Sequence, residues 1–392
     1  MPTPGPNQSK SANGQLRIAA LDGMRGFMTI LVLFSHYFAE ITNGFPRLGF
    51  GWLAVNMFFV LSGFLIGRLI IERKESENFF TVFIMRRICR TIPSYMVSIL
   101  IIFAMLWIFR AEPWARFHTE FPLWSYLTFT QNIFMGVTND VGAYWPAPTW
   151  TLALEEQLYV LIPFVFFLAP RRYWAPILIG IAIAGVVLRG LVFATGVAPI
   201  WGLVILPTRA DVLVAGVIAA VVFKDSTIDL SRFDLGLRCA PIVLLFAAVL
   251  LALIDPVERL LFNTFGPLFV SVGFACLLVA MVRGAPEAKR FESRFLCFFG
   301  HISYCVYLTH LMVLGLMHGL ILGAKPSLGS VDQWLVTLAG LFVAVGVGWA
   351  LTTLIEAPLT AYGRSWKWSA KKTSDGAQKV AAGCLSNSIG LR

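Results

Sequence analysis

The sequence predicts an all-α membrane protein, a polytopic bundle of about ten transmembrane helices with its N- and C-termini in the cytoplasm. Two observations carry the class. Hydrophobic residues make up 58% and charged residues 13% of the 392-residue chain, at a mean hydropathy of +0.76. Soluble domains carry roughly a quarter charged residues, and a water-soluble core of this length cannot hide so much apolar surface. Apolar runs of about 20 residues, the length that crosses a hydrocarbon layer, recur from near Ile18 to near Glu356 with short polar breaks between them. A third observation carries the orientation. With the N-terminus inside, 23 of the 31 Lys and Arg residues fall on the cytoplasmic side, the asymmetry expected of cytoplasmic loops facing anionic lipid. It requires an even number of spans, and it accounts for the net charge of +10 without nucleic acid as a partner.

The runs place helices near 18–39, 50–71, 92–109, 150–168, 174–194, 204–223, 239–254, 262–282, 297–321 and 333–356. A polar head (1–16) and a basic tail (361–392) are expected to be disordered on either side of one transmembrane domain (17–360). The first run lacks the small-residue cleavage signature of a signal peptide, so it is read as a retained helix. Six cysteines are scattered without a CxxC or other metal-ligand spacing, and no metal is expected. There is no GxxxxGK[ST], no GxGxxG after a strand and no HExxH, so a nucleotide-containing ligand must be held in another way, and no permanently bound cofactor is implied.

Ionisable groups inside a bilayer are expensive and usually face a bundle interior or wet cavity, which makes them the first functional candidates. The opening span, LDGMRGFMTILVLFSHYFAE, holds Asp22, Arg25 and His36. Eleven residues separate Arg25 from His36, three turns plus about 20°, so both project from one face, roughly 16 Å apart along the axis. Asp22 lies one turn before Arg25 and can neutralise it; Glu40 lies one turn after His36 and can orient its imidazole. The segment WPAPTWTLALEEQLY places Glu155 and Glu156 about a turn below the outer surface, pointing about 100° apart. One of them can fix the tautomer of His36 or itself accept a proton. Upstream, Trp145 and Trp150 suit either sugar stacking or an interfacial tryptophan belt.

The basic segment FIMRRICRTIPSY reads as a cytoplasmic loop with Arg86, Arg87 and Arg90 before a span. Arg86 and Arg90 are one turn apart, a pitch that suits phosphates, with anionic lipid as the competing ligand. On the ninth span Ser303, Tyr307 and His310 follow steps of four and three and form one polar stripe. Arg209, Asp211 and Glu356 are further charges at span edges, for which pairing inside the bundle is as good an account as chemistry.

Taken together, these segments resemble the acyltransferase family 3 of membrane proteins, whose members O-acylate polysaccharides, lipopolysaccharide, Nod factors and macrolides. The resemblance rests on LDGMRG with Arg25-x10-His36, FFVLSGFLIG around Ser62 and Gly63, RRICRTIP from Arg86, WTLALEEQLY from Trp150, RADVLVAG from Arg209, SYCVYLTH from Ser303, and the closing Glu356-Ala-Pro358. They occur in the family's order across almost all of the span-forming region. Where the family often has Ser-Leu before its glutamate this chain has Thr151-Leu152, and where it often has Trp-His on the ninth helix this chain has Thr309-His310.

The resemblance implies a ten-helix acyltransferase domain, an acyl-CoA donor (commonly acetyl-CoA) reached from the cytoplasm, Arg25 and His36 as the key pair, and a role for Glu155. The expected reaction moves an acyl group onto a hydroxyl of a carbohydrate acceptor, whether polysaccharide, lipid-linked glycan or glycoside, at the cytoplasmic membrane. Arg86, Arg87 and Arg90 meet the donor phosphates, Arg25 steadies the donor or an oxyanion, and Glu155 positions His36 or the sugar. His36 acts as general base or forms an acyl-imidazole; both routes are open at this stage. Asp22, Glu156, Trp150, Arg209, Asp211, Ser303, Tyr307, His310 and Glu356 are supporting candidates. The rival classes are a glycan or lipid-linked-sugar transporter and a membrane glycosyltransferase; paired internal repeats, a mark of many transporters, are not evident. The sequence leaves oligomeric state and acyl length open.

Overall fold

The computed structural model describes residues 8–10, 16–46, 49–115, 120–196, 198–225, 227–254 and 259–369. Among these, nine helical segments are long and apolar enough to cross a membrane. The opening helix α1 (Ala19–Phe34) continues as a π turn over Ser35–Ala39 and supplies the tenth expected span. The remaining helices are α2 (Gly51–Arg73), α3 (Phe79–Ile108), the short α4 (Leu123–Leu127) and α5 (Gln131–Thr138), α6 (Trp150–Leu168), α7 (Trp174–Thr195), the short α8 (Pro199–Val204), α9 (Leu206–Lys224), α10 (Asp234–Ile254), α11 (Leu260–Val282), α12 (Arg294–Leu322), α13 (Val331–Leu351) with a π turn at Thr352–Glu356, and α14 (Ala357–Ser365). The chain is a multi-pass all-α membrane protein.

Four boundaries differ from the sequence-based expectation. The segment read as a loop ahead of 92–109 is helical: α3 starts at Phe79 and runs 30 residues, about 45 Å against a hydrocarbon layer of about 30 Å. Its first turns can therefore stand clear of the lipid with their arginines without a loop. The stretch between the expected spans 92–109 and 150–168, where no helix is placed from sequence, contains α4 and α5, which bury Tyr126, Gln131, Asn132 and Met135. Gln131 Nε2 donates to the Thr149 carbonyl at 2.9 Å and Asn132 Nδ2 to that of Val204 at 3.1 Å. The start of the expected tail is helix α14, and residues 366–369 fold back onto α3: Arg86 donates to the Trp366 carbonyl and Asn78 to that of Lys367. In the expected head, Gln8–Lys10 pairs antiparallel with Leu16–Ile18. Residues 1–7, 11–15 and 370–392, the rest of the expected disordered ends, lie outside the described residues.

The main core joins α1, α2, α9 and α11 through Met24, Met28, Val60, Phe64, Ala215, Ala219 and Leu278. A second, of Phe59, Leu154, Leu158, Trp174, Leu178 and Val212, ties α6 and α7 to α2 and α9. By contrast α10 buries one residue, Ala248, and presents Ile242, Val243, Phe246 and Leu253 outward, as a lipid-facing helix does. Helices α1 and α12 approach with their backbones in contact. A Cβ on Gly300 would overlap the Asp22 carbonyl, and one on Gly26 the Leu296 carbonyl. Small residues are how helices in lipid gain close van der Waals packing, and this approach brings the polar groups of α1 and α12 together.

Candidate active site

Both α1 and α12 start at the end of the bundle that carries most of the basic residues, here called the basic end. His36 lies 17 residues beyond Ala19 and His310 lies 16 beyond Arg294, about 25 Å of rise in each case. The two imidazoles meet: His36 Nδ1 is 2.7 Å from His310 Nε2, and the rings stack at 4.9 Å with an interplanar angle of 13°.

The backbone around the pair decides where the protons sit. His310 Nδ1 faces two carbonyl oxygens, Tyr307 at 2.8 Å and Val306 at 3.2 Å. Carbonyls only accept, so Nδ1 of His310 carries the hydrogen and a neutral His310 offers a bare Nε2. That Nε2 accepts from His36 Nδ1–H, so a neutral His36 must keep its own Nε2 unprotonated. This nitrogen is 3.4 Å from Glu40 Oε2, on the accessible side of the ring. The His36 side chain is 17% exposed and that of Glu40 50%, whereas His310 is 1% exposed. Glu40 is tied down by its own turn: its N–H bonds the Ser35 carbonyl five residues back, and its Oε1 accepts from Ser35 Oγ at 2.5 Å. A π turn widens the helix by that extra residue and is frequent at functional sites; here it sets Glu40 beside His36. Two acceptors facing each other across 3.4 Å are satisfied by a proton between them, carried by the imidazole or by a hydroxyl placed there.

From this pair a row of polar groups descends toward the basic end. Tyr307 packs on His310 at 5.8 Å between ring centroids and bonds Thr151 Oγ1 and the Pro148 carbonyl, both at 2.9 Å. One turn further along α6, Glu155 accepts from Ser62 Oγ at 3.0 Å and from Tyr159 OH at 2.9 Å, and Ser62 and Tyr159 touch each other. Ser62 is halfway along α2, so Glu155, five residues past the start of α6, sits level with the middle of α2. Glu155 and Tyr159 are within electrostatic range of Arg25, which pairs with Asp22 at 3.6 Å. Both Asp22 and Arg25 remain about one-fifth exposed. The row therefore runs from Arg25 to His36, with Glu155 between them.

Glu156 points elsewhere, as its 100° offset requires. It accepts from Thr91 Oγ1 at 3.2 Å and faces Arg87 at 3.9 Å, and the Arg87 guanidinium also covers the Tyr159 ring at 3.1 Å. Arg90 is exposed and acts electrostatically on Arg25 and on Glu356. Arg86 does not join them. It donates to the carbonyls of Trp366 and Arg364 and lies over Trp368, so the expected pairing of Arg86 with Arg90 does not form. Glu356 sits in the second π turn, accepting from Cys305 Sγ at 3.4 Å and Thr352 Oγ1 at 3.3 Å.

Other candidates are held by the fold. Glu155 makes no hydrogen bond to His36 among the described residues; His310, which sequence reasoning ranked as a supporting residue, fixes that ring. Asp211 forms a two-point salt bridge with Arg189 at 2.6 and 2.8 Å, and both side chains are fully buried. Arg209 donates to Asn56 Oδ1 at 2.6 Å from an almost closed site. Ser303 bonds the Gly300 carbonyl within its own helix, and Trp150 packs edge-on against Phe59. Sequence reasoning did not single out the partners Asn56, Thr91, Tyr159 and Arg189. Residue counts from the basic end would have found the histidine pair, because His36 and His310 fall at one depth on helices that run in the same direction.

A family model described as an acyltransferase domain matches residues 18–353. The chain belongs to this acyltransferase family. Among curated proteins it is similar to an O-acetyltransferase, OatA, of Staphylococcus aureus (strain NCTC 8325 / PS 47), with 27% identity over 75% of this chain and 50% of that protein. It is likewise similar to the peptidoglycan O-acetyltransferase OatA of Listeria monocytogenes, with 24% identity over 76% of this chain and 50% of that protein. The chain thus spans about half the length of the curated relatives it matches. No solved structure matches it.

Proposed function

We propose that this chain is a membrane O-acyltransferase that moves an acyl group, acetyl by preference, from an acyl-CoA thioester to a hydroxyl of an exported or cell-surface glycan. The basic end faces the cytoplasm, in a cytoplasmic membrane. Support for the class comes from the family and from the relatives named as O-acetyltransferases. The observation that carries the chemistry is the His36–His310 pair, because its hydrogen bonds leave one unprotonated nitrogen on the partly exposed ring of His36.

The donor enters at the basic end, its phosphates meeting Arg87 and Arg90 and its pantetheine arm lying along the row past Arg25 and Glu155. About 16 Å of rise separates Arg25 from His36, so Arg25 serves the donor and not an oxyanion formed at His36. At the top of the row His36 Nε2 takes the proton of the acceptor hydroxyl. The hydroxyl oxygen attacks the thioester carbonyl, the C–S bond breaks, and the imidazolium returns the proton to the departing thiolate. Alternatively Nε2 itself attacks, thiolate leaves, and the acyl-imidazole is resolved by the hydroxyl, which loses its proton to the thiolate. Both routes need the same bare nitrogen. Purified protein incubated with radiolabelled acetyl-CoA and glycan acceptors tests the reading: label enters the glycan and free thiol appears in equal amount, while His36→Ala yields neither. Glycan movement without thioester consumption would overturn it.

A further inference from the structure

A second concave site lies at the basic end, away from the row. A cavity of about 180 Å³ opens between the end of α2, the turn leading into α7 and the end of α9, lined by Arg171, Arg172 and Lys224, by the apolar Ile71, Trp174, Ala175 and Val221, and by one carboxylate, Asp225, which Arg171 influences electrostatically. Its lining has two halves. One is cationic: Arg171 and Arg172 are adjacent on a single turn, and neither has a carboxylate within 4 Å among the described residues. The nearby carboxylates are engaged elsewhere. Glu72 holds Lys224 at 2.5 Å and Arg68 at 2.8 Å, and Asp225 accepts from the Thr227 backbone and hydroxyl at 3.0 and 2.8 Å. Lys74 adds a charge over the Trp174 ring at 4.6 Å. The other half is apolar, formed by Ile71, Val221, Trp174 and Ala175.

Adjacent guanidinium forks with no carboxylate within 4 Å suit phosphate oxygens, which they bind with two hydrogen bonds each. A free phosphate has no use for the apolar wall. Exposed apolar side chains continue along α6 and α7 at Leu168, Ile179 and Ile183, and Tyr173 is exposed beside Arg172. Basic pockets between spans on the cytoplasmic side are a known way of holding anionic head groups. We propose that this cavity binds the phosphate of an anionic phospholipid, with Arg171 and Arg172 on the head group and the acyl chains along α6 and α7. The site is separate from the donor path and does not depend on the acyl-transfer reading.

The test uses delipidated full-length protein in a neutral detergent, titrated with phosphatidylglycerol or phosphatidylcholine and read by native mass spectrometry. Three measurements belong together: the wild type, the Arg171→Gln/Arg172→Gln double variant, and a Lys289→Gln/Arg290→Gln control that removes the same charge from exposed positions at the same end. The expected result is several-fold tighter retention of phosphatidylglycerol, lost in the first double variant and kept in the control. Equal retention of the two lipids, or equal losses in both double variants, would overturn the site in favour of diffuse attraction to basic loops. Displacement of bound phosphatidylglycerol by inorganic phosphate alone would overturn the lipid assignment.

Discussion

Two polar pairs are buried between helices of this bundle, and they are built to opposite rules. Arg189 and Asp211 are fully buried, and the guanidinium bonds both carboxylate oxygens and the carbonyls of Thr208 and Thr264. In the His36–His310 pair one ring is sealed and its Nδ1–H committed to carbonyls, while the other is 17% exposed and keeps one nitrogen open beside Glu40. Burial of ionisable groups marks both. What separates a site of chemistry from a brace between helices is the valence left open on the accessible side, because a saturated group has nothing to offer a substrate.

The largest test of this contrast is His36→Ala. General acid–base catalysis contributes typically ~10²–10⁴-fold, so acetyl transfer should fall by at least about a hundredfold while yield and melting temperature stay near wild type, as followed by label transfer and thermal unfolding in detergent. Arg189→Leu should do the reverse. Breaking one partner of a buried ion pair costs roughly 3–5 kcal/mol, so the variant should melt markedly lower, yet any folded fraction should transfer acetyl at a near-normal rate per molecule. Arg189→Leu/Asp211→Leu should recover most of the lost stability, and failure to recover would mean that the pair does more than brace α7 to α9.

How legible was this in the sequence? The class was, because twenty-residue apolar runs and the bias of basic residues are properties of composition and spacing that no tertiary contact alters. Arg25 and His36 stood out for the same reason, as ionisable groups, with Asp22, in an otherwise apolar run. The surroundings of Glu155 were hidden, since they depend on α6 packing against α2 at Ser62, and α4 and α5 were hidden because neither short helix carries a periodic signal long enough to read. The start of α3 was misread because Arg86, Arg87 and Arg90 look like a loop when a helix is assumed to end with the lipid. The split between Arg86, which holds residues 364–366, and Arg87, which faces Glu156, is a matter of 100° around one helix; it becomes visible only once the neighbours on each side are known.

Smaller effects sharpen the comparison. Glu155→Gln keeps the shape but removes the charge that accepts from Ser62 and Tyr159. Hydrogen bonds to charged groups are worth about 1.5–3 kcal/mol, so kcat/KM should drop by roughly 10–100-fold, and a variant with wild-type kinetics would take Glu155 out of the donor path. Arg87→Ala should raise KM for the thioester about tenfold, one charge-assisted contact. Arg86→Ala should leave that KM within about twofold, a change too small to count as a lost contact, and should expose residues 364–369 to proteolysis, which peptide mapping would detect.

The account turns on which nitrogen of His36 is bare, and nitrogen-15 NMR of histidine-labelled protein in bilayers reads that directly, with the His36 signal assigned by its loss in His36→Ala. At a pH where the ring is neutral, the prediction is a protonated Nδ1 and an unprotonated Nε2 on His36. A His36 carrying its hydrogen on Nε2, with Nδ1 accepting from His310, would contradict it.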